Sequence, residues 1–247
     1  MQPVCSNRHK RDCERIIHTC CPASDLVAVR GRLNAVTNRT HLWQKLQIHI
    51  DKHTALVVVD VQNDFCPGGA LAVPDGDKII PTLNEYIRKF SDSGAPIIFT
   101  RDWHPPDHSS FKSQGGPWPP HCIQNSEGAK FHRNLMIPHD TEIVSKAYEK
   151  DEAYSFFRGT NLAEKLHRRG IGKLLVGGLA TDYCVKDTVL DGLQHGFEVY
   201  HLDDASRGVN VNRNDSELAL HEMLSRGAKR IKLSAVIASS PATHTQS

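Results

Sequence analysis

Apolar residues from Thr54 onward occur in two alternating patterns. Short uninterrupted runs are typical of strands buried on both faces, whereas recurrence every three or four residues predicts a helix. The first pattern is found in ALVVVD, and we predict five further strands: PIIFTRD, TEIVSK, KLLVGGLA, FEVYHLD and KRIKL. The second predicts helices between them: one around residues 79–90, then TNLAEKLHRRG, TDYCVKDTVLDGLQHG and NDSELALHEMLSRG.

Strands that alternate with helices predict an α/β fold in which a parallel sheet is covered by helices on both sides. The connection from Asp102 to about Asp140 is the exception, because it is too long for a plain loop. Loops of that length are usually functional or disordered.

The first 50 residues differ from the rest in charge, with 8 Lys and Arg against 3 Asp and Glu. We expect residues 1–50 to be a poorly ordered basic extension, in which LWQKLQIHI forms a short helix. Residues 51–236 form the predicted folded domain, and residues 237–247 a disordered tail. Two alternative interpretations of the extension are a mitochondrial presequence and a segment that contacts an organelle receptor or nucleic acid.

The bulk composition narrows the functional classes. A net charge of +2 in 247 residues favours neither nucleic acid nor an acidic partner for the main domain. No apolar run approaches the roughly 18 residues of a membrane span. Seven cysteines, an odd number without a secretion signal, are typical of reduced thiols, so we expect a cytoplasmic protein.

Four reactive side chains stand where separate strands end. Asp60, Asp102 and Lys146 end the first three predicted strands, and Cys184 lies just past the fourth. The carboxyl ends of parallel strands meet at one edge of a sheet, which is where ligands bind in open α/β folds. We therefore expect these side chains to converge on one site.

The candidate nucleophile is Cys184, although most cysteines only fill space in a core. It falls in the first turn of a predicted helix, where the helix dipole favours a thiolate. Lys146 would favour the charged state, and Asp60 could accept the thiol proton. A base beside a thiol is the arrangement that nucleophilic catalysis needs.

The segments DWHPPDH and WPPHC contain candidate metal ligands. Asp102, His104 and His121 would supply three ligands and leave positions for water or substrate, as catalytic sites do. Zn²⁺, Fe²⁺ and Mn²⁺ all suit this set. His108 is an alternative fourth ligand, and we assign Cys122 to packing.

Together, VVVDVQNDF, DWHPPDH, WPPHC, SKAYEKDEAYSFF and GLATDYCV resemble the signatures of nicotinamidases, within the isochorismatase-like hydrolases, over about residues 54–233. The resemblance implies a three-layer fold whose six-stranded parallel sheet has the order 3-2-1-4-5-6. It implies hydrolysis of nicotinamide to nicotinate and ammonia in NAD salvage, with one divalent ion, for which Zn²⁺ is expected. It also implies a catalytic triad, which Asp60, Lys146 and Cys184 match. It implies a metal site, which Asp102, His104 and His121 match. His108 matches an additional metal ligand that some members of the family have.

The resemblance also assigns the substrate pocket. Phe65, Trp118 and Tyr154 fall near positions that line it, and the backbone amides of Ala180 and Cys184 match the oxyanion hole. A cis peptide is implied between Leu179 and Ala180.

Two departures from the family pattern are Ala147, where many relatives have glycine, and the spacing of EKDEAYSFF, the segment that contains Tyr154. Two alternatives stay open: another cysteine amidase of the same family, and an inactive module that binds nicotinamide. The sequence also leaves open a homo-oligomer.

Overall fold

A computed structural model describes residues 47–139, 141–151 and 153–238. Within these residues the strands are β1 (Ile48–His49), β2 (Thr54–Val59), β3 (Ile97–Asp102), β4 (Glu142–Lys146), β5 (Lys173–Leu179), β6 (Glu198–Arg207), β7 (Lys229–Ile231) and β8 (Val236–Ile237). The α-helices are α1 (Ile80–Asp92), α2 (Leu162–Arg168), α3 (Lys186–Gln194) and α4 (Asp215–Ser225).

The main sheet has six parallel strands in the order β4-β3-β2-β5-β6-β7. Counted along the chain from β2, this is the order 3-2-1-4-5-6, so the predicted fold is confirmed. The central strand β2 pairs with β3 on one side and β5 on the other, with Val58 aligned to Phe99 and Gly177. The order reverses between β2 and β5, and a crevice for ligands opens at such a switch point.

Both faces of the central strands are covered, which explains their uninterrupted apolar sequences. All six residues of β2 are buried. Ala55, Val57 and Val59 belong to a core cluster that also takes in apolar residues of α2, α3 and α4. Helix α1 contacts β2, β3 and β6 but contributes no residue to that cluster, so it covers the opposite face.

Two elements differ from their sequence predictions. The helix predicted from Thr181 begins with a π-helical turn, Thr181–Val185, before α3. Strand β6 continues to Arg207, and its register with β5 shifts, since Val176 aligns with His201 but Gly178 aligns with Ser206. Residues 202–205 therefore form a wide bulge opposite Gly177.

The ends of the described region pair with each other, as β1 lies parallel to β8. The predicted helix in LWQKLQIHI is therefore wrong for Ile48 and His49. The rest of the predicted basic extension, residues 1–46, lies outside the described residues, as does the tail from residue 239. Among the described helices, none combines the length and apolar character that a membrane span requires.

Candidate active site

The four strand-end residues converge at the switch point, as expected. Asp60 follows β2, Asp102 and Lys146 end β3 and β4, and Cys184 lies in the π-helical turn after β5. All four are buried, with Asp60 fully inaccessible and Lys146 exposed by only 1%.

Lys146 is the centre of this cluster. Its ammonium Nζ lies 2.9 Å from Asp60 Oδ2 and donates to Cys184 Sγ at 3.3 Å. It also forms a short hydrogen-bonded ion pair with Asp102 Oδ1. Carboxylate oxygens of Asp60 and Asp102 and the sulfur of Cys184 all lie within 4.8 Å of one another. One ammonium therefore lies against two buried carboxylates beside the thiol and compensates one of their two negative charges, in line with the raised pKa of Asp60.

Burial and these charges decide the protonation states. Burial raises the pKa of Cys184 well above its usual value, because the nearby Lys146 does not offset the loss of water and the two carboxylates. Burial and the two carboxylates therefore favour a thiol as the resting nucleophile, whereas the position at a helix start favours a thiolate. Burial also raises the pKa of Asp60. The neighbouring carboxylates raise the pKa of Lys146 well above its usual value despite burial, so the ammonium stays charged.

Two buried side chains that sequence reasoning missed hold the carboxylates in place. Thr100 Oγ1 donates to Asp60 Oδ1 at 2.6 Å. Gln62 clamps the backbone of Asp102, since its Oε1 accepts from Asp102 N at 2.8 Å and its Nε2 donates to Asp102 O at 2.8 Å. Gln62 lies in the VVVDVQNDF segment, but its spacing from Asp60 alone does not indicate this contact.

The candidate metal ligands form a group directly beside the cluster. Potential ligand atoms of Asp102, His104 and His121 lie within 4.8 Å of one another, and all three residues are buried. The Nδ1 of His104 contacts the carbonyl of Ala147 at 3.2 Å, and the Nδ1 of His121 contacts the carbonyl of Pro119 at 2.8 Å. Such contacts fix each ring so that Nε2 is the atom left for a metal.

The donor set fits a divalent ion. His104 Nε2 is buried and has no hydrogen-bond partner among the described residues, although a buried polar atom normally has one. Burial lowers the pKa of His121, which keeps its imidazole neutral, as metal ligation needs. Asp102 belongs both to this group and to the Lys146 cluster.

His108 lies beside this group but is not brought into it. Its ring packs on His104, with centroids 4.1 Å apart. Its Nδ1 contacts Ser110 Oγ at 2.7 Å and its Nε2 contacts the carbonyl of Asp151 at 3.2 Å, so both nitrogens face protein atoms. Cys122 is fully buried, and burial raises the pKa of its thiol well above the usual value, in line with a packing role.

A small cavity of about 30 Å³ lies over the thiol and the metal group. Its walls include the three predicted pocket residues, Phe65, Trp118 and Tyr154, and both residues of the predicted oxyanion hole, Ala180 and Cys184. Three further wall residues, Leu71, Tyr183 and Val209, were not indicated by the sequence.

Three aromatic side chains form the part of the wall that a ligand would meet. Trp118 Nε1 donates to the hydroxyl of Tyr154 at 3.1 Å. The ring of Tyr183 lies 5.2 Å from that of Trp118 and 5.6 Å from that of Tyr154, measured between centroids. All three are partly exposed, so they can move more easily than the buried cluster beneath them.

The backbone at this edge is unusual at two further points. The Leu179–Ala180 peptide is cis, as the resemblance implied. Ala147, where glycine is common, has a φ of 48°. That left-handed conformation favours glycine, which accounts for the family preference.

This arrangement has the parts for nucleophilic attack on an acyl carbon: a thiol, a carboxylate to receive its proton, a fixed ammonium and an aromatic pocket above them. The adjacent Asp102, His104 and His121 could hold a divalent ion that also faces the pocket.

Comparison with known proteins agrees with this geometry. The isochorismatase domain model matches residues 54–234. The nicotinamidase of Escherichia coli (strain K12) is 42% identical over 200 residues, which cover 70% of this chain and 92% of the relative.

Two solved structures are similar along nearly their whole length. The pyrazinamidase of Pyrococcus horikoshii in complex with zinc is 55% identical, with a TM-score of 0.70, and the match covers 73% of this chain and 99% of that one. PnC1 from L. infantum in complex with nicotinate is 32% identical, with a TM-score of 0.73 and coverage of 78% and 100%. The chain therefore belongs to the isochorismatase family.

Proposed function

We propose that the protein is a nicotinamidase, a cysteine hydrolase that converts nicotinamide and water to nicotinate and ammonia. The observation that carries this proposal is the position of Lys146 Nζ, in contact with Asp60, Asp102 and Cys184 at once. These contacts support the proposal because they bring a thiol, a carboxylate and the candidate metal ligands together beneath one aromatic pocket. The similarity to the E. coli nicotinamidase supports the same activity.

Asp102, His104 and His121 would hold one divalent ion, with Zn²⁺ expected since the similar P. horikoshii structure is a zinc complex. When bound, the ion supplies a Lewis acid that can ligate the pyridine nitrogen of nicotinamide. Phe65 and Trp118 line the pocket and would contact the ring. The carboxamide would then extend toward Cys184.

Acylation begins with proton transfer from Cys184 to Asp60, while Lys146 stays protonated and stabilises the charged sulfur. The sulfur attacks the carboxamide carbon, and backbone amides of Ala180 and Cys184 hold the oxyanion. Donors of this kind contribute about 10²–10³ in rate. Asp60 returns its proton to the departing nitrogen, and ammonia leaves.

Deacylation uses the same carboxylate. Asp60 takes a proton from water, the hydroxide attacks the thioester carbon, and cleavage of the carbon–sulfur bond releases nicotinate. The proton returns to the sulfur of Cys184. A raised pKa of Asp60 suits both directions of transfer, because a catalytic acid–base works best when its pKa is near the working pH.

We also propose that the reaction serves NAD salvage in the cytoplasm, a reducing compartment in which the seven cysteines would remain thiols.

The test compares ammonia release from nicotinamide and from benzamide, which lacks the ring nitrogen, with and without a chelator. We expect rapid release from nicotinamide, much slower release from benzamide, and loss of the preference after chelation. Equal rates with both amides would favour another cysteine amidase of the family. If neither amide releases ammonia, the chain is a binding module and the proposal is wrong.

A further inference from the structure

A second cleft, of about 250 Å³, lies behind the catalytic turn. Its walls are strand β6, the chain after it at residues 208–210, the first turns of α4 and the π-helical turn that contains Cys184. The lining residues on which the following argument depends are Thr181, His201, Ser206, Gly208, Asn210 and Ser216.

The bulge in β6 creates this cleft. His201 is the last residue of β6 in register with β5 before the bulge, and Ser206 is the first after it. Between them the chain packs closely over Gly177, where an added Cβ would lie 3.0 Å from the carbonyl of Ala205. His201 and Ser206 therefore flank the bulge, and both line the cleft.

The cleft contains a concentration of unsatisfied polar atoms. His201 Nδ1 and Nε2, Ser206 Oγ and Ser216 Oγ are buried, and none has a hydrogen-bond partner within residues 47–139, 141–151 and 153–238. His201 is 2% exposed and Ser206 is 5% exposed. A buried donor or acceptor without a partner destabilises the fold, so four such atoms in three residues that line one cleft point to a ligand that pairs with them.

The charges around the cleft favour a neutral ligand. Burial, assisted by Arg230, lowers the pKa of His201 to about 4, so the imidazole is uncharged at neutral pH and has one donor and one acceptor nitrogen. Asp203 is already paired with Arg230 at 2.6 Å and Lys232 at 3.7 Å. At the rim, Glu217 and Arg207 have opposite charges.

The cleft shares a wall with the catalytic pocket. The carboxylate of Asp182, two residues before Cys184, accepts from Val209 N at 2.9 Å and from Asn210 N at 2.7 Å. Val209 lines the catalytic pocket, whereas Asn210 lines the second cleft. A molecule bound in the cleft would therefore contact the other side of the segment that closes the catalytic pocket.

We propose that this cleft is a second binding site, which takes a small neutral amide through His201, Ser206 and Ser216. An amide has a carbonyl acceptor and an N–H donor, which match the hydroxyls and the two ring nitrogens. The cleft volume suits a compact ring rather than a nucleotide.

The test uses 2-pyrrolidinone, a compact lactam, as the probe and the imidazole nitrogens of His201 as the reporter. The full chain is labelled with ¹⁵N-histidine and titrated with 2-pyrrolidinone, and the histidine nitrogen signals are followed by NMR. We expect a saturable change in both His201 nitrogen signals. Inorganic phosphate, as a charged probe, should leave them unchanged.

Two variants separate binding in this cleft from an indirect effect of binding in the catalytic pocket. The double substitution Ser206→Ala and Ser216→Ala keeps the reporter but removes two partners, and should weaken binding about tenfold. Because both hydroxyls are unpaired without a ligand, the double variant should fold as stably as the wild type. Ser225→Ala, an exposed serine on the same helix, is the matched control and should bind like the wild type.

Three results would overturn the proposal. One is the absence of a saturable response, which would mean that water alone satisfies these atoms. The second is a response to phosphate instead of the lactam. The third is an unchanged affinity in the double serine variant, since the lactam would then act from the catalytic pocket.

Discussion

Replacing Lys146 with methionine tests the cluster at its centre. The substitution keeps much of the side-chain volume but removes the ammonium that contacts Asp60, Asp102 and Cys184. Both carboxylates are buried, and removing one partner of a buried ion pair typically costs about 3–5 kcal/mol in the free energy of unfolding. We expect Lys146→Met to lose stability in that range at neutral pH and to release no measurable ammonia from nicotinamide.

The loss of stability should depend on pH. Burial already raises the pKa of Asp60, and the ammonium of Lys146 opposes that rise. Without Lys146, the folded-state pKa of Asp60 lies further above its unfolded value of about 3.9. The folded variant then binds more protons than the unfolded chain, so its stability increases as pH falls. The difference from the wild type should therefore narrow as the pH falls from neutral toward the unfolded-state pKa of Asp60.

Urea unfolding of the two proteins at several pH values, with chelator and with added zinc, measures this effect. Lys150→Met is the matched control, because Lys150 pairs with Asp107 at 2.8 Å while their side chains are 66% and 53% exposed. That exposed pair should contribute little to the free energy of unfolding. The reasoning is refuted if Lys146→Met costs no more than Lys150→Met, or if its deficit is the same at every pH.

Three further substitutions test single contacts. Ala147→Gly should raise the free energy of unfolding by about 0.5–1 kcal/mol, because its φ of 48° strains alanine; a less stable variant in thermal unfolding would contradict this. Gln62→Leu should weaken zinc binding at least tenfold in a competition titration, because it removes the two hydrogen bonds that hold the backbone of Asp102. An unchanged zinc affinity would show that these hydrogen bonds do not support the metal site. Thr100→Val removes a hydrogen bond that lowers the pKa of Asp60, so the acid limb of the kcat/KM profile should move up by about one pH unit; an unmoved limb would argue against Asp60 as the base.

The strands and the convergence of site residues could be predicted from the sequence for one physical reason. Strands covered on both faces must be apolar throughout, so a charged residue at the end of such a run marks the sheet edge. Asp60 was found this way, at the end of the fully buried β2. Asp102 and Lys146 end predicted strands that contain polar residues, and the parallel sheet placed all three together with Cys184. The strand order itself was implied by the family resemblance.

The protonation states and supporting contacts could not be predicted, because they depend on three-dimensional burial. Sequence position suggested a thiolate at Cys184, whereas complete burial beside two carboxylates favours the thiol. The contact between Lys146 and Asp102, which joins the metal group to the nucleophile, depends on the register of β3 and β4. The bulge that follows His201 depends on how β6 pairs with β5, and the apolar pattern of the sequence does not predict this pairing.

The most direct measurement of the central claim is ammonia release from nicotinamide by Cys184→Ala. The substitution removes one sulfur from a buried cluster and leaves Asp102, His104 and His121 intact, so zinc content and the circular dichroism spectrum serve as controls. The account predicts a folded protein that still binds zinc and nicotinamide but releases no ammonia above the uncatalysed rate. Turnover at a substantial fraction of the wild-type rate would contradict attack by this sulfur and the mechanism built on it.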